Sequence, residues 1–416
     1  MQILLVHQNF PGQFRHLAPA WIAQGHHLVA IGCTAPEVFQ SSQWDGLHYL
    51  SYASHHATPA ERAQAVEHLC QEGIDAGQIT PDLVIAHSAW GESLPLRSLF
   101  PSIPLVIYPE LWGSPLALGA GFDNDRPPFT GEEMAGIEAQ NQVTATALAQ
   151  ADAVVVPTQF QRASFPTQLQ SVLQVIHEGI ATDQLKPDRR QSLLLPNGLL
   201  LGHGDPVVSF ASRNFEPLRG LHRLFQAIPA LLAQDPAAQV VLVGGTQSGY
   251  GPISSQPGGH LGQALAQLPT SVDLSRVHVA GQLPYDQLIR LFQISRAHIY
   301  LTYPYTLSWS VLEAMACGAP IIGNLGGPIQ DVIKPRGNGL LVPFNDPKAL
   351  AEAIVELLQR PFWGQQLGLA GRQTVLENYS LSQSLASYDT LFQTLGLVFH
   401  GANPTARGQA VPATAE

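Results

Sequence analysis

Short apolar runs alternate with helical segments along this chain, and that alternation limits the fold more than any other feature. In the first half the runs are 3–7, 27–31, 83–86, 105–108, 153–156 and 172–176, with helical stretches at 14–23, 60–72 and 133–149. In the second half they are 207–211, 240–243, 277–280, 297–300, 320–322 and 340–342, with a helical stretch such as 221–233 after each. Runs this short and apolar at nearly every position need two buried faces. A parallel sheet with helices on both sides provides them. The pattern occurs twice, so the expected class is α/β, with two doubly wound, Rossmann-like domains. Such sheets bind ligands at the carboxyl ends of their strands, here in a cleft between the domains.

Length agrees with two domains, because 416 residues at 45% hydrophobic are too many for one ordinary core. Residues 183–204, rich in Pro, Arg, Asn and Gly, break the alternation and read as a linker between domains 1–182 and 205–379. Residues 398–416 have little to bury and are expected to form a mobile tail. No run reaches ~18 apolar residues and the start lacks a basic region, so neither a membrane span nor a signal peptide is indicated. Three widely spaced cysteines (Cys33, Cys70, Cys317) give neither a disulfide framework nor a zinc pattern. The expected compartment is the cytoplasm. His26-His27 and His55-His56 lack further ligands at metal spacing.

Charge is unevenly spread. Residues 1–180 hold five arginines, no lysine and 16 acidic residues, while the remainder carries 15 of each sign. A first half of that sign repels nucleic acid and anionic lipid surfaces.

The chemistry concentrates at strand ends. Residues 303–318 read Tyr-Pro-Tyr-Thr-Leu-Ser-Trp-Ser-Val-Leu-Glu-Ala-Met-Ala-Cys-Gly, a polar turn after a strand and then a short helix. Helix N-termini present free N–H groups to anions, here at Ser308, Trp309 and Ser310. Glu313, one turn further, can reach ribose hydroxyls. Alternatively, Ser310 and Glu313 form a capping box. Earlier, Arg213 and Arg219 flank a strand-to-helix turn ending in Gly220, where two guanidinium groups can grip a diphosphate. A pair of exposed surface arginines beside Glu216 is the plainer account.

In the first half, Gly12 sits in the turn Asn-Phe-Pro-Gly-Gln-Phe, where backbone can approach a ligand. The turn is not G-x-G-x-x-G, so no dinucleotide cofactor is supported. His87, Trp90 and Glu92 follow one strand, and Glu110 and Trp112 follow the next. Aromatics with carboxylates at a cleft mouth suit a sugar, whose faces are apolar and whose edges are hydroxyls. These are the acceptor-side candidates, though core aromatics and solvated carboxylates explain any single one as well. His87 reads equally as a satisfied strand-end histidine.

Leu-Glu-Ala-Met-Ala-x-Gly at 312–318 and the Arg213–Arg219 loop resemble the donor-binding segments of retaining glycosyltransferases of family 4. That resemblance implies the GT-B fold, with the helix near 380–397 crossing back to the first domain. It implies a nucleotide-sugar donor used as co-substrate without a further cofactor, a sugar-containing acceptor and no metal. Arg213 and Arg219 fall on the family's diphosphate-binding Arg and Lys, Glu313 on the second acid of E-x7-E, and His87 on a histidine that contacts the donor sugar. Gly12 becomes a donor-site candidate through the same likeness. Tyr305 stands at the first acidic position, and Asp331 ends Gly-Gly-Pro-Ile-Gln-Asp where the family has Gly-Gly-x-x-Glu. Two alternatives stay open. One is another GT-B enzyme, such as an epimerase or a phosphorylase; a pyridoxal-phosphate phosphorylase is weakened because Lys334 is the only lysine near these motifs. The other is a nucleotide-sugar-binding protein without catalysis, for which Tyr305 is the support.

Overall fold

The computed structural model describes residues 1–53, 58–247, 249 and 254–397, so His55, His56 and the tail 398–416 lie outside the described residues. The first sheet contains seven parallel strands: β1 (Gln2–Val6), β2 (His27–Gly32), β3 (Leu47–Ser51), β4 (Leu83–His87), β5 (Leu105–Tyr108), β6 (Ala153–Val156) and β7 (Leu173–Val175). Their order is β3-β2-β1-β4-β5-β6-β7. Along β1 the side chains alternate between two cores. Ile3 and Leu5 pack with Phe14, Trp21 and Leu28, whereas Leu4 and Val6 pack with Val66, Val84 and Ile107. That double burial explains the unbroken apolar run.

A short antiparallel hairpin, β8 (Ser192–Leu194) and β9 (Leu200–Gly202), precedes the second sheet. Residues 183–204 are thus more than a linker: Leu193, Leu195 and Leu201 pack with Val207, Val241 and Leu291 of the second half. The second sheet has six parallel strands: β10 (Val207–Asn214), β11 (Gln239–Gly245), β12 (Val277–Gly281), β13 (Ala297–Tyr300), β14 (Ile321–Asn324) and β15 (Leu340–Val342). They run in the order β12-β11-β10-β13-β14-β15. In each sheet the order reverses beside the first strand, between β1 and β4 and between β10 and β13. The segments leaving those strands form the ligand edge.

The last helix, Leu381–Thr394, buries Tyr388, Leu391 and Phe392 among the first sheet's core residues. The Tyr388 and Phe392 rings lie 5.5 and 5.9 Å from that of Trp21. Outgoing and returning backbones pair where they cross, with Ile180 N–H donating to Tyr379 O and Leu381 N–H to Ile180 O, both at 2.8 Å.

A loop of the first half is bound to the second. Asp123, 2% exposed, accepts from Tyr303 Oη at 2.5 Å and from Arg223, and its carboxylate lies 3.0 Å from His222 Nε2. Asn345 Nδ2 donates to Phe122 O at 2.6 Å. Elsewhere Asp331 accepts the Phe160 N–H at 2.7 Å, so this residue of the second half caps a first-half helix, Gln159–Ser164. Among the described residues no helix is long and apolar enough to cross a membrane.

Candidate active site

The second-half wall is built from the ends of β10 and β13. After β10 the chain makes a 3-10 turn, Pro217–Arg219, and Gly220 adopts φ 71°. A Cβ there would run into the Leu301 side chain, so this turn needs glycine. Tyr303 N–H donates to Leu218 O at 2.9 Å, and Arg219 Nη1 donates to Thr302 Oγ1 at 3.2 Å. The arginine turn and the segment before Glu313 are therefore directly joined. Arg213 is exposed, and its side chain has no partner among the described residues.

The helix Trp309–Ala316 begins after Ser308, and no side chain caps it. The alternative capping box of Ser310 and Glu313 does not form. Glu313 is instead 3% exposed and accepts from Tyr285 Oη at 2.8 Å. Burial raises its pKa, with Arg15 and the Tyr285 hydroxyl opposing. Ser308 departs from its expected role in one respect: its N–H is taken by Tyr300 Oη at 3.0 Å, leaving the first-turn amides from Trp309 onward as the orphan donors. The Ser308 and Ser310 hydroxyls pair at 2.8 Å. Trp309 is half-buried against the core, and Tyr305 is half-buried as well.

The first-half wall comes from the ends of β1, β4 and β5. Gly12 has φ 44°, and a Cβ on it would strike the His7 imidazole. His7 Nδ1 accepts from Asn9 N–H at 2.9 Å, so its proton sits on Nε2, which donates to Gln13 Oε1. Gln13 Nε2 in turn donates to Glu110 Oε1 at 3.1 Å. His87 has the same tautomer: Nδ1 accepts from Ala89 N–H at 3.2 Å, and Nε2 donates to Glu110 Oε2 at 3.3 Å. The His87 ring stacks on Trp90, with centroids 4.4 Å apart, and lies 4.8 Å from His7. Burial, followed by the neighbouring His87, holds the His7 pKa well below its ordinary value, which keeps that imidazole neutral. Glu110 itself has φ 59°, in the left-handed region, and its carbonyl is held by Gln161 Nε2 at 2.9 Å.

The fold has known counterparts. Residues 34–185 match the model of the glycosyl transferase family 4 group, and residues 198–374 match that of glycosyl transferases group 1. The chain belongs to glycosyltransferase family 4. A GDP-mannose-dependent monoacylated alpha-(1-6)-phosphatidylinositol monomannoside mannosyltransferase of Corynebacterium glutamicum is 30% identical over 184 residues, 42% of this chain and 44% of that protein. An alpha-maltose-1-phosphate synthase of Mycolicibacterium smegmatis is 27% identical over 284 residues, 65% of this chain and 70% of that protein. The first of these matches spans less than half of the relative's length. Among solved structures, a sucrose-phosphate synthase of Thermosynechococcus elongatus superposes with a TM-score of 0.72 at 22% identity, covering 95% of this chain and 99% of that one. That likeness gives the fold: GT-B, two Rossmann-like units facing across a cleft.

Set against the family 4 pattern, the structure joins Arg219 to the segment leading to Glu313, and gathers Gly12, His87, Trp90 and Glu110 on the opposite sheet edge. It separates two other candidates from that group. Trp112 packs on Phe165 with centroids 5.8 Å apart, inside a core cluster. Glu92, 1% exposed, accepts from Tyr52 Oη at 2.6 Å. Sequence reading missed His7 and Gln13, whose role depends on Glu110 97 residues from Gln13. It also missed Arg15, whose guanidinium lies 5.1 Å from the Tyr285 ring centroid and so crosses from the first half toward Glu313. Among the described residues, Asp123, Asp125 and His222 are close enough to share a metal ion. The Asp123 carboxylate is already committed to Arg223, Tyr303 and His222, so the group reads as a tie between the halves.

Proposed function

We propose that the protein is a retaining glycosyltransferase that moves a sugar from a nucleotide-sugar donor to a hydroxyl of a sugar-containing acceptor. The observation that carries this reading is the hydrogen-bonded continuity from the Arg213–Arg219 turn through Thr302 to the helix that bears Glu313. Two guanidinium groups and helix-terminal amides on one wall suit a diphosphate, and a carboxylate one turn into that helix suits ribose hydroxyls. The Corynebacterium relative takes GDP-mannose by its name, which supports a nucleotide sugar as donor.

In this reading Arg213 and Arg219 meet the negative charge that grows on the diphosphate as its bond to the anomeric carbon breaks. That interaction is stronger in the transition state than in the bound donor, so it accelerates the reaction. The acceptor oxygen forms the new bond to the anomeric carbon on the same face, and its proton passes to the departing diphosphate oxygen. With these cations in place the reading includes no resident metal or cofactor. His87 supports the wall instead of touching the sugar, because both its ring nitrogens are occupied and its side chain is fully buried. Tyr305, half-buried on the same segment, shapes the sugar pocket.

Purified protein incubated with UDP-, GDP- and ADP-sugars and a panel of sugar acceptors should release nucleoside diphosphate. Proton NMR of the glycoside should show the anomeric configuration of the donor. An inverted product, or no turnover of any nucleotide sugar, would contradict the proposal.

A further inference from the structure

We propose that the acceptor is an uncharged polyol or sugar, one hydroxyl of which donates to Glu110, and that phosphorylated acceptors are disfavoured on the first-half wall. The inference rests on the glycosyltransferase reading above. Glu110 is the outward member of its network, with a side chain 21% exposed beside the fully buried His87. Two donors, Gln13 Nε2 and His87 Nε2, fix one lone pair on each carboxylate oxygen. The remaining lone pairs can accept only from an O–H or N–H.

Two further carboxylates follow strand ends of this sheet. Glu92 follows β4 and Glu178 follows β7, both at the ligand edge and both buried. Two polar atoms buried beneath that edge, Glu92 Oε2 and Ser88 Oγ, have no partner among the described residues, and both can accept from a hydroxyl or water. The cations of residues 1–180 are five arginines, and each is already engaged. Arg62 Nη1 donates to Trp90 O, Arg97 Nη2 pairs with Asp152, Arg126 Nη1 donates to Leu118 O and Arg162 Nε donates to Gln170 O. Arg15 faces Tyr285 across the cleft. A phosphate monoester on this wall would lie beside Glu110, while the guanidinium that reaches the wall, Arg62, is buried and already donates to Trp90 O.

The test uses matched probes: glucose and glucose 6-phosphate, myo-inositol and its 1-phosphate, glycerol and glycerol 3-phosphate, each with the nucleotide sugar that the protein turns over. The wild type should favour the neutral member at least tenfold in kcat/KM. Glu110→Gln should raise KM for that acceptor at least tenfold, with melting temperature and nucleoside diphosphate affinity retained. A preference for phosphorylated members, no neutral member accelerating diphosphate release above donor hydrolysis, or an unchanged acceptor KM in Glu110→Gln overturns the proposal. The wild-type comparison stands even where the variant folds poorly. Failure to bind any nucleoside diphosphate would instead sink the glycosyltransferase reading itself.

Discussion

The two walls of the cleft are built alike and charged oppositely. In both, the functional groups leave the carboxyl ends of parallel strands on either side of a switch point. The second-half wall offers Arg213 and Arg219, one exposed and one tied to Thr302. The first-half wall offers Glu110, held by the His87 imidazole and Gln13. The difference shows how one architecture can divide a reaction. In the reaction proposed above, one side meets charge that develops on a leaving group, and the other orients a neutral nucleophile.

The largest effect should come from cutting the tie between the walls. Burial works to raise the Asp123 pKa, but the neighbouring His222 and the Tyr303 hydroxyl outweigh it and hold the carboxyl well below the usual carboxylate range. Asp123→Ala leaves the buried Arg223 with the exposed Asp125, Asn345 and Gln226. Breaking such a pair costs about 3–5 kcal/mol. Calorimetric scanning should show a lower melting temperature and a transition split between the halves. A single transition at the wild-type temperature would show that the halves are held together elsewhere.

Acid should then affect both halves alike. Burial first, and then Arg15 and His177, lower the His16 pKa to about 4, and burial lowers that of His298 to about 3. The unfolded chain binds these protons near pH 6.5, before the folded chain does. Stability present above pH 6.5 is therefore lost as pH falls toward about 4 for His16 and about 3 for His298, at about 1.4 kcal/mol for each pH unit between the two values. Urea midpoints should fall from pH 7.5 to pH 5, and less steeply in His298→Asn. Midpoints that do not change over that range would contradict this.

The buried centres of both sheets were legible because strands with two covered faces leave unbroken apolar runs; β5, β6, β13 and β15 match the sequence reading residue for residue. β3 was not, since Leu47–Ser51 lies at the sheet edge, partly exposed along its length, and its Leu-His-Tyr-Leu-Ser carries no apolar run. The hairpin of β8 and β9 escaped because only Leu193 and Leu201 of its strands are buried, and the Pro, Asn and Gly between them read as a linker. At the site, strand-to-helix turns with charged residues stood out locally. The partners did not: Asp123 meets Arg223 across 100 residues and Tyr303 across 180. Contacts of that range depend on topology, which no window of sequence contains. Glu313 illustrates the converse, a local capping signal overridden because tertiary packing buries the carboxylate against Tyr285.

The division of labour between the walls is tested most directly by titrating UDP, GDP and ADP calorimetrically into the wild type and Arg219→Ala. One of the three should bind the wild type, and its affinity should fall by roughly 10- to 150-fold in the variant, the equivalent of about 1.5–3 kcal/mol for hydrogen bonds to a charged group. Equal affinity of that nucleotide for both proteins would contradict the account.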